Sequence, residues 1–144
     1  MAKAPQSILI VDDEFGLAEM LRDMLRESGF EVTLAINGHL ALEILAEEKV
    51  DLVLTDMMMP VMDGAELAAA MRRDDRHRRT PVIMMTSLPT ARPRRDALFD
   101  AVLRKPFTPE LLLETIRRCV GDENEGDADW SPPGERPFSG GRDR

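Results

Sequence analysis

Four short apolar runs in this chain each end in groups that can do chemistry. Ile8-Leu9-Ile10-Val11 leads into Asp12-Asp13-Glu14, and Leu52 to Thr55 leads into Asp56. Val82 to Met85 stops at Thr86-Ser87, and Ala101-Val102-Leu103 is closed by Arg104-Lys105-Pro106-Phe107. Taken singly, each has an ordinary explanation. Asp56 could turn the chain, Asp12-Asp13 could cap a helix, Thr86 is a β-branched strand end, and Lys105 is a solvated lysine before proline. Their recurrence at successive strand ends argues for a shared site. Clustered carboxylates repel and raise one another's pKa, a cost that a divalent cation removes. Hard oxygen donors with room for water suit Mg²⁺, with Asp13 and Asp56 as direct ligands and Asp12 acting through water. A carboxylate is also a nucleophile towards phosphorus, forming an aspartyl phosphate. In such a reaction Lys105 would supply a point positive charge. The Thr86 hydroxyl and nearby backbone N–H groups would hold the phosphoryl oxygens.

Elements of regular spacing must position these groups. Ile8 to Val11 reads as a buried strand, and Leu17, Leu21, Met24 and Leu25 then fall at helical spacing before Gly29 in a C′ position. Phe30 to Ala35 reads as a second strand, broken by Asn37-Gly38. Leu40, Ala41, Ile44 and Leu45 mark a short amphipathic helix. Asp51 to Thr55 is the third strand, Pro60 and Asp63-Gly64 punctuate a loop, and Ala65 to Arg73 is a third helix. The run Arg72 to Arg79 reads as a solvated helix end. After the fourth strand, Pro89 and Pro93 restrict any fourth helix to 94–99. A fifth strand over Ala101 to Leu103 precedes a last helix capped by Thr108 with Pro109 at its first position. Strands alternating with helices predict an α/β fold, a doubly wound five-stranded parallel sheet with helices on both faces.

Composition bounds the function. The chain has 144 residues, 43% hydrophobic and 32% charged, with formal net charge −8. That is one domain over 1–120, followed by a Gly/Pro-rich acidic tail over 121–144 that reads as disordered. The acidity argues against direct nucleic-acid binding. No apolar run approaches the roughly 20 residues needed to cross a bilayer. The first residues have no signal-peptide layout, and the single Cys119 excludes an intrachain disulfide, so a cytoplasmic location is expected.

The residues Ile10-Val11-Asp12-Asp13-Glu14, Asp56-x-x-Met59-Pro60-x-Met62-Asp63-Gly64, Thr86-Ser87 and Lys105-Pro106-Phe107 make the chain resemble a response-regulator receiver domain of the stand-alone, chemotaxis-regulator type. The resemblance covers residues 8 to about 118, and the Asp-x-x-Met-Pro-x-Met-Asp-Gly run is its most specific part. It implies a flavodoxin-like (βα)₅ fold of strand order 2-1-3-4-5, whose topological switch point brings Asp12 and Asp13 towards Asp56. It also implies a two-component phosphorelay. Asp56 would take a phosphoryl group from a phosphohistidine on a histidine kinase or phosphotransfer protein. The metal would be held by Asp13, Asp56 and the Met58 backbone carbonyl, and the Lys105–Pro106 peptide would be cis. The resemblance makes the chain a signalling domain, not an enzyme acting on a separate substrate, with output through a downstream protein. With no output domain after residue 120, direct transcription control is not expected.

Two departures from the family pattern stand out. The aromatic switch residue three positions before the lysine is Val102 here. The interval from Thr86 to Lys105 is shorter than usual and carries prolines, so the fourth helix should be short or irregular. These departures motivate a second reading, an interaction module whose switch ignores phosphate. A third reading, an aspartyl phosphatase, needs Asp-x-Asp after the strand, where this chain has Asp56-Met57-Met58. Arg92, Arg94, Arg95 and Arg104 make the switch region basic, either as solvated surface or as an acidic partner's site. Met59 should pack inward and Met58 rim the site. Neither Met58 nor Leu88 can position an attacking water, so a long-lived phosphoryl group is expected. His39 and His77 read as surface residues, Cys119 as a small hydrophobe, and Trp130 as a solvated tail residue in preference to part of a short docking motif with Pro132, Pro133 and Phe138.

Overall fold

The computed structural model describes residues 6–87 and 98–120. Five strands, β1 (Ser7–Val11), β2 (Glu31–Ala35), β3 (Leu52–Asp56), β4 (Val82–Thr86) and β5 (Ala101–Arg104), form one parallel sheet of order β2-β1-β3-β4-β5. The helices are α1 (Phe15–Glu27), α2 (Gly38–Glu47), α3 (Gly64–Arg72) and α4 (Pro109–Cys119). The fold class and strand order match the expectation from sequence. The fourth helix expected over 94–99 falls almost wholly outside the described residues, and Phe99, at its end, is not helical.

Both faces of the sheet are buried, which is why its strands read as continuous apolar runs. The pleat divides each run between two cores. Ile8, Ile10, Leu52, Leu54, Ile83, Met85 and Leu103 meet α1 and α4 through Leu21, Leu25, Leu112 and Ile116. Leu9, Val11, Val53 and Val82 meet α2 and α3 through Ala41, Leu45, Leu67 and Met71. Leu40 is an exception to the expected helical stripe: it lies exposed, and Gly38, Ala41 and Leu45 form the buried face of α2.

Helix starts show what the sequence concealed. Asp63, read as loop punctuation, is the N-cap of α3 in a full capping box: its carboxylate accepts from Glu66 N at 2.8 Å, while Glu66 Oε1 accepts from Asp63 N. Asn37 caps α2 by accepting from Leu40 N, and Thr108 caps α4 by accepting from Leu111 N, with Pro109 following as expected. By contrast, the expected capping of α1 by Asp12-Asp13 is not found. Glu14 is the N-cap and has no side-chain capping bond, while Asp12 Oδ1 accepts from Glu14 N in a turn just before the helix.

The charge run after α3 also differs from a solvated helix end. Arg72 turns inward, donating to the carbonyls of Arg78, Thr80 and Leu98 and to Asp100 Oδ1. His77, read as a surface residue, is 2% exposed, with Nε2 2.8 Å from Leu45 O. The segment folds back so that its carbonyls at Arg78 and Thr80 accept from Arg72 and His77 meets the end of α2. His39 is exposed, as expected.

Candidate functional site

Parallel strands end on one edge, so the order β1-β3-β4-β5 places Asp12, Asp56, Thr86 and Lys105 side by side. Asp56 is the last residue of β3, paired with Met85, and Thr86 is the last of β4, paired with Arg104. Lys105 follows directly. Its N–H donates to Thr86 O at 2.7 Å, and its peptide to Pro106 is cis, as the resemblance implied. The Lys105 ammonium lies 3.1 Å from Asp56 Oδ1 and 3.8 Å from Asp12 Oδ2. One oxygen of each of Asp12, Asp13 and Asp56 lies within 4.8 Å of the others. The structure therefore brings Asp12, Asp13, Asp56 and Lys105 within a few ångströms of one another, with Thr86 at the end of the adjacent strand. Met58 is 59% exposed, while Met59 is buried as expected. Val102 lies on β5 paired with Met84, confirming that no aromatic side chain occupies that position.

The electrostatics are those of a site short of positive charge. Asp12 is 1% exposed, and burial pushes its carboxyl up to about 6 against the opposing Glu14 N–H bond. The Asp56 charge adds to the rise and Lys105 opposes it. Burial likewise raises Asp56, with Lys105 opposing through both hydrogen bond and charge, and Asp13 raising it further. Asp12 Oδ2 is buried without a hydrogen bond; Lys105 at 3.8 Å offers charge but lies beyond bonding distance. Three carboxylates against one ammonium, one carboxylate oxygen being orphaned, form a donor set that fits a hard divalent cation.

Two further residues shape the site without having announced it in sequence. Thr55 is fully buried and donates its hydroxyl to Asp56 O at 3.0 Å. Gly64 lies so close that a Cβ there would sit 2.6 Å from Asp56 O and 3.1 Å from Met57 Cα, while its N–H donates to Met57 O. In the sequence the Asp63-Gly64 pair was a turn signal and the close of the family run, and neither says why glycine is needed. The space that requires glycine arises from α3 starting against the end of β3. Between them Val61 adopts φ 74°, a left-handed conformation costly for a β-branched residue, so the loop carrying Met58 holds strain beside the site.

Gly64→Ala is expected to lower unfolding free energy by about 1–3 kcal/mol, because backbone atoms must move to admit the methyl group. Gly38→Ala should cost less, since the atoms nearest its Cβ belong to the flexible Met62 side chain. Gly16, with nothing within 4 Å, should tolerate alanine. Urea midpoints of the three variants check this ranking, and equal midpoints for Gly64→Ala and Gly16→Ala would refute it.

Known proteins resemble this chain in sequence and fold. Residues 8–117 match the response regulator receiver domain family. The chain is 31% identical over 121 residues to the polar-differentiation response regulator DivK of Brucella anthropi, covering 82% of this chain and 98% of that protein. It is 35% identical over 133 residues to the response regulator MprA of Mycolicibacterium vanbaalenii, but there it spans only 56% of the relative's length, against 86% of its own. Among solved structures, the chemotaxis response regulator CheY4 of Vibrio cholerae superposes with a TM-score of 0.73 at 32% identity, covering 80% of this chain and 98% of that one. The receiver domain of a sensor histidine kinase of Pseudomonas aeruginosa, solved with a magnesium ion coordinated in its active-site cleft, gives a TM-score of 0.75 at 30% identity, covering 82% and 99%. With the sheet order, the clustered strand ends and these matches in agreement, the chain belongs to the response regulator receiver domain family, the signalling domains of two-component systems.

Proposed function

We propose that Asp56 accepts a phosphoryl group from a phosphohistidine on a histidine kinase or phosphotransfer protein, and that the phosphorylated domain signals by binding a downstream protein. The observation that carries this reading is the partly buried Asp56 carboxylate held 3.1 Å from the Lys105 ammonium, beside Asp12 and Asp13. An Asp56 oxygen attacks phosphorus as the P–N bond to the donor imidazole breaks, and the bonding pair stays on the imidazole nitrogen. Lys105 neutralises charge on the acceptor and phosphoryl oxygens, and Thr86, at the end of the adjacent strand, offers its hydroxyl to one of them. Asp13 and Asp56, the Met58 backbone carbonyl and, through water, Asp12 would hold Mg²⁺. When bound, the cation supplies the positive charge that one lysine cannot. Residues 1–120 form the receiver unit in this reading, 121–144 an appended tail, and the location is cytoplasmic. No described helix is long and apolar enough to cross a membrane.

The test is intact mass after incubation with a small-molecule phosphodonor. One phosphoryl adduct is expected with Mg²⁺ and none after chelation. An unmodified protein under both this donor and a phosphorylated histidine donor would refute the reading. The phosphate-independent module is not favoured, since the family match and the cluster of Asp12, Asp13, Asp56 and Lys105 support phosphoryl chemistry despite Val102.

Met58 bears on lifetime. Its exposed thioether cannot orient water towards the acyl phosphate, so Met58→Gln is expected to shorten that lifetime by about ten-fold. Decay of the phosphorylated mass with time checks this. Equal lifetimes would show that Met58 does not control hydrolysis.

A further inference from the structure

At the opposite edge of the sheet from Asp56, where β3 and β4 begin, lies a cleft of about 380 Å³ bordered by Lys49, Asp51, Asp75, Arg76, Arg78 and Arg79. Its border carries four cations and two anions, in a chain of net charge −8. Part of that charge is already engaged. Arg78 pairs with Asp75 at 3.2 Å, Arg76 approaches Asp74 at 3.7 Å and donates to Ala46 O, and Asp51 accepts from Ser7. Lys49 and Arg79 are exposed and have no ion pair among the described residues. The cleft therefore presents positive charge that the described fold does not use.

The chain supplies a matching anion. The strand-then-helix order returns α4 to the same edge of the sheet. Its C-cap Val120 packs against the core there, and the remaining 24 residues leave from that point. Residues 122–135 hold six acids and no Lys or Arg. Passing beneath the sheet from the α4 layer to the α3 side crosses two layer spacings of about 10 Å. An extended chain covers about 3.3 Å per residue, so Asp127 and Asp129 can reach the cleft while the acids before them span the gap.

We propose that the acidic stretch over residues 122–135 docks within the same molecule into the cationic cleft, its carboxylates meeting Lys49 and Arg79. Tethering raises the local concentration of these carboxylates, so weak exposed ion pairs suffice, and the contact must be sensitive to salt. Trp130, the single tryptophan of the chain, follows Asp129 directly, so docking of this stretch would bring it to the guanidinium groups at the rim. This inference stands apart from the phosphoryl chemistry, since neither Lys49 nor Arg79 belongs to that site.

Trp130 makes the test direct. Acrylamide quenching of its fluorescence is measured in the full chain at low ionic strength, near 0.01 M where the Debye length is about 30 Å, and near 1 M where it is about 3 Å. Docking predicts a quenching constant that rises roughly two-fold in high salt, and the same rise at low salt in the variant Lys49→Glu/Arg79→Glu. Arg26→Glu, a charge reversal on α1 outside the cleft, should stay at the wild-type value. Asp127→Lys/Asp129→Lys provides a second route, exposing Trp130 while leaving the cleft intact. Combining both pairs of reversals should restore protection. Quenching that ignores salt and both sets of reversals overturns the proposal. Protection that grows with protein concentration also overturns it, placing the tail on a second copy instead.

Discussion

Asp56→Asn is expected to take up no phosphoryl group under conditions that modify the wild-type chain, while folding at least as stably in the absence of divalent cation. Both halves follow from the site. The amide keeps the shape of the side chain but has no anionic oxygen to attack phosphorus, so the adduct should fall from a major species to none. The stability half follows from burial, which raises the Asp56 carboxyl because its charged form is poorly solvated. Removing the charge relieves that penalty and the repulsion from Asp12 and Asp13. Lys105 loses its 3.1 Å partner but retains Asp12 at 3.8 Å. Intact-mass spectra and thermal melts of the two proteins, side by side, check both halves. An adduct on Asp56→Asn would move the acceptor elsewhere. A variant that melts well below wild type without cation would show that the Lys105 pair outweighs the repulsion.

The second large effect is a pH dependence that a cation should remove. Asp12 has an ordinary value of 3.8 and is held at about 6 in the folded chain. The folded state therefore binds its proton more tightly than the unfolded state, and protonation favours folding. The stability this group contributes is fully present below pH 3.8, declines between 3.8 and about 6, and is gone above that. At about 1.36 kcal/mol per pH unit, a window of this width corresponds to an effect on the order of 2–3 kcal/mol. Asp56 acts in the same direction. Other carboxylates oppose it, among them Asp74, which is lowered chiefly by the Arg76 backbone N–H. The comparison must therefore be between wild type and Asp12→Asn, whose amide oxygen can still accept from Glu14 N. Without cation, Asp12→Asn should be the more stable by that margin at pH 7, and the two should converge near pH 4. Adding Mg²⁺ should stabilise the wild type in proportion to the logarithm of its concentration and shift the variant less. Denaturant titrations across this pH range check the prediction, and parallel profiles for the two proteins would show that Asp12 carries no such charge penalty.

These two effects share a cause. The site holds more negative charge than its solvation or its one lysine can support, so the apo fold is stressed where the chemistry occurs. Asp12 is buried and Asp56 half-buried, so their charges are poorly solvated, and that is what makes a cation or a phosphoryl group consequential there.

The sequence alone determined which residues end each strand, because a strand buried on both faces is mostly apolar and charged groups gather where it leaves the sheet. Asp12, Asp56, Thr86 and Lys105 were legible for that reason, as were the Thr108-Pro109 helix start and the inward packing of Met59. Tertiary structure decided the rest. Whether Asp12 or Asp13 is buried depends on how β1 hands over to α1, and the answer leaves Asp12 Oδ2 without a hydrogen bond. Gly64 reads as a turn until the Asp56 carbonyl is seen 2.6 Å from where its Cβ would be. The run from Arg72 to Arg79 reads as solvated charge, since a sequence does not reveal that Arg72 serves four acceptors among the described residues and His77 meets the Leu45 carbonyl. Local pattern fixes where the chain enters and leaves the sheet. Which polar groups lie under a neighbouring segment is set by contacts distant in sequence, and periodicity does not encode those.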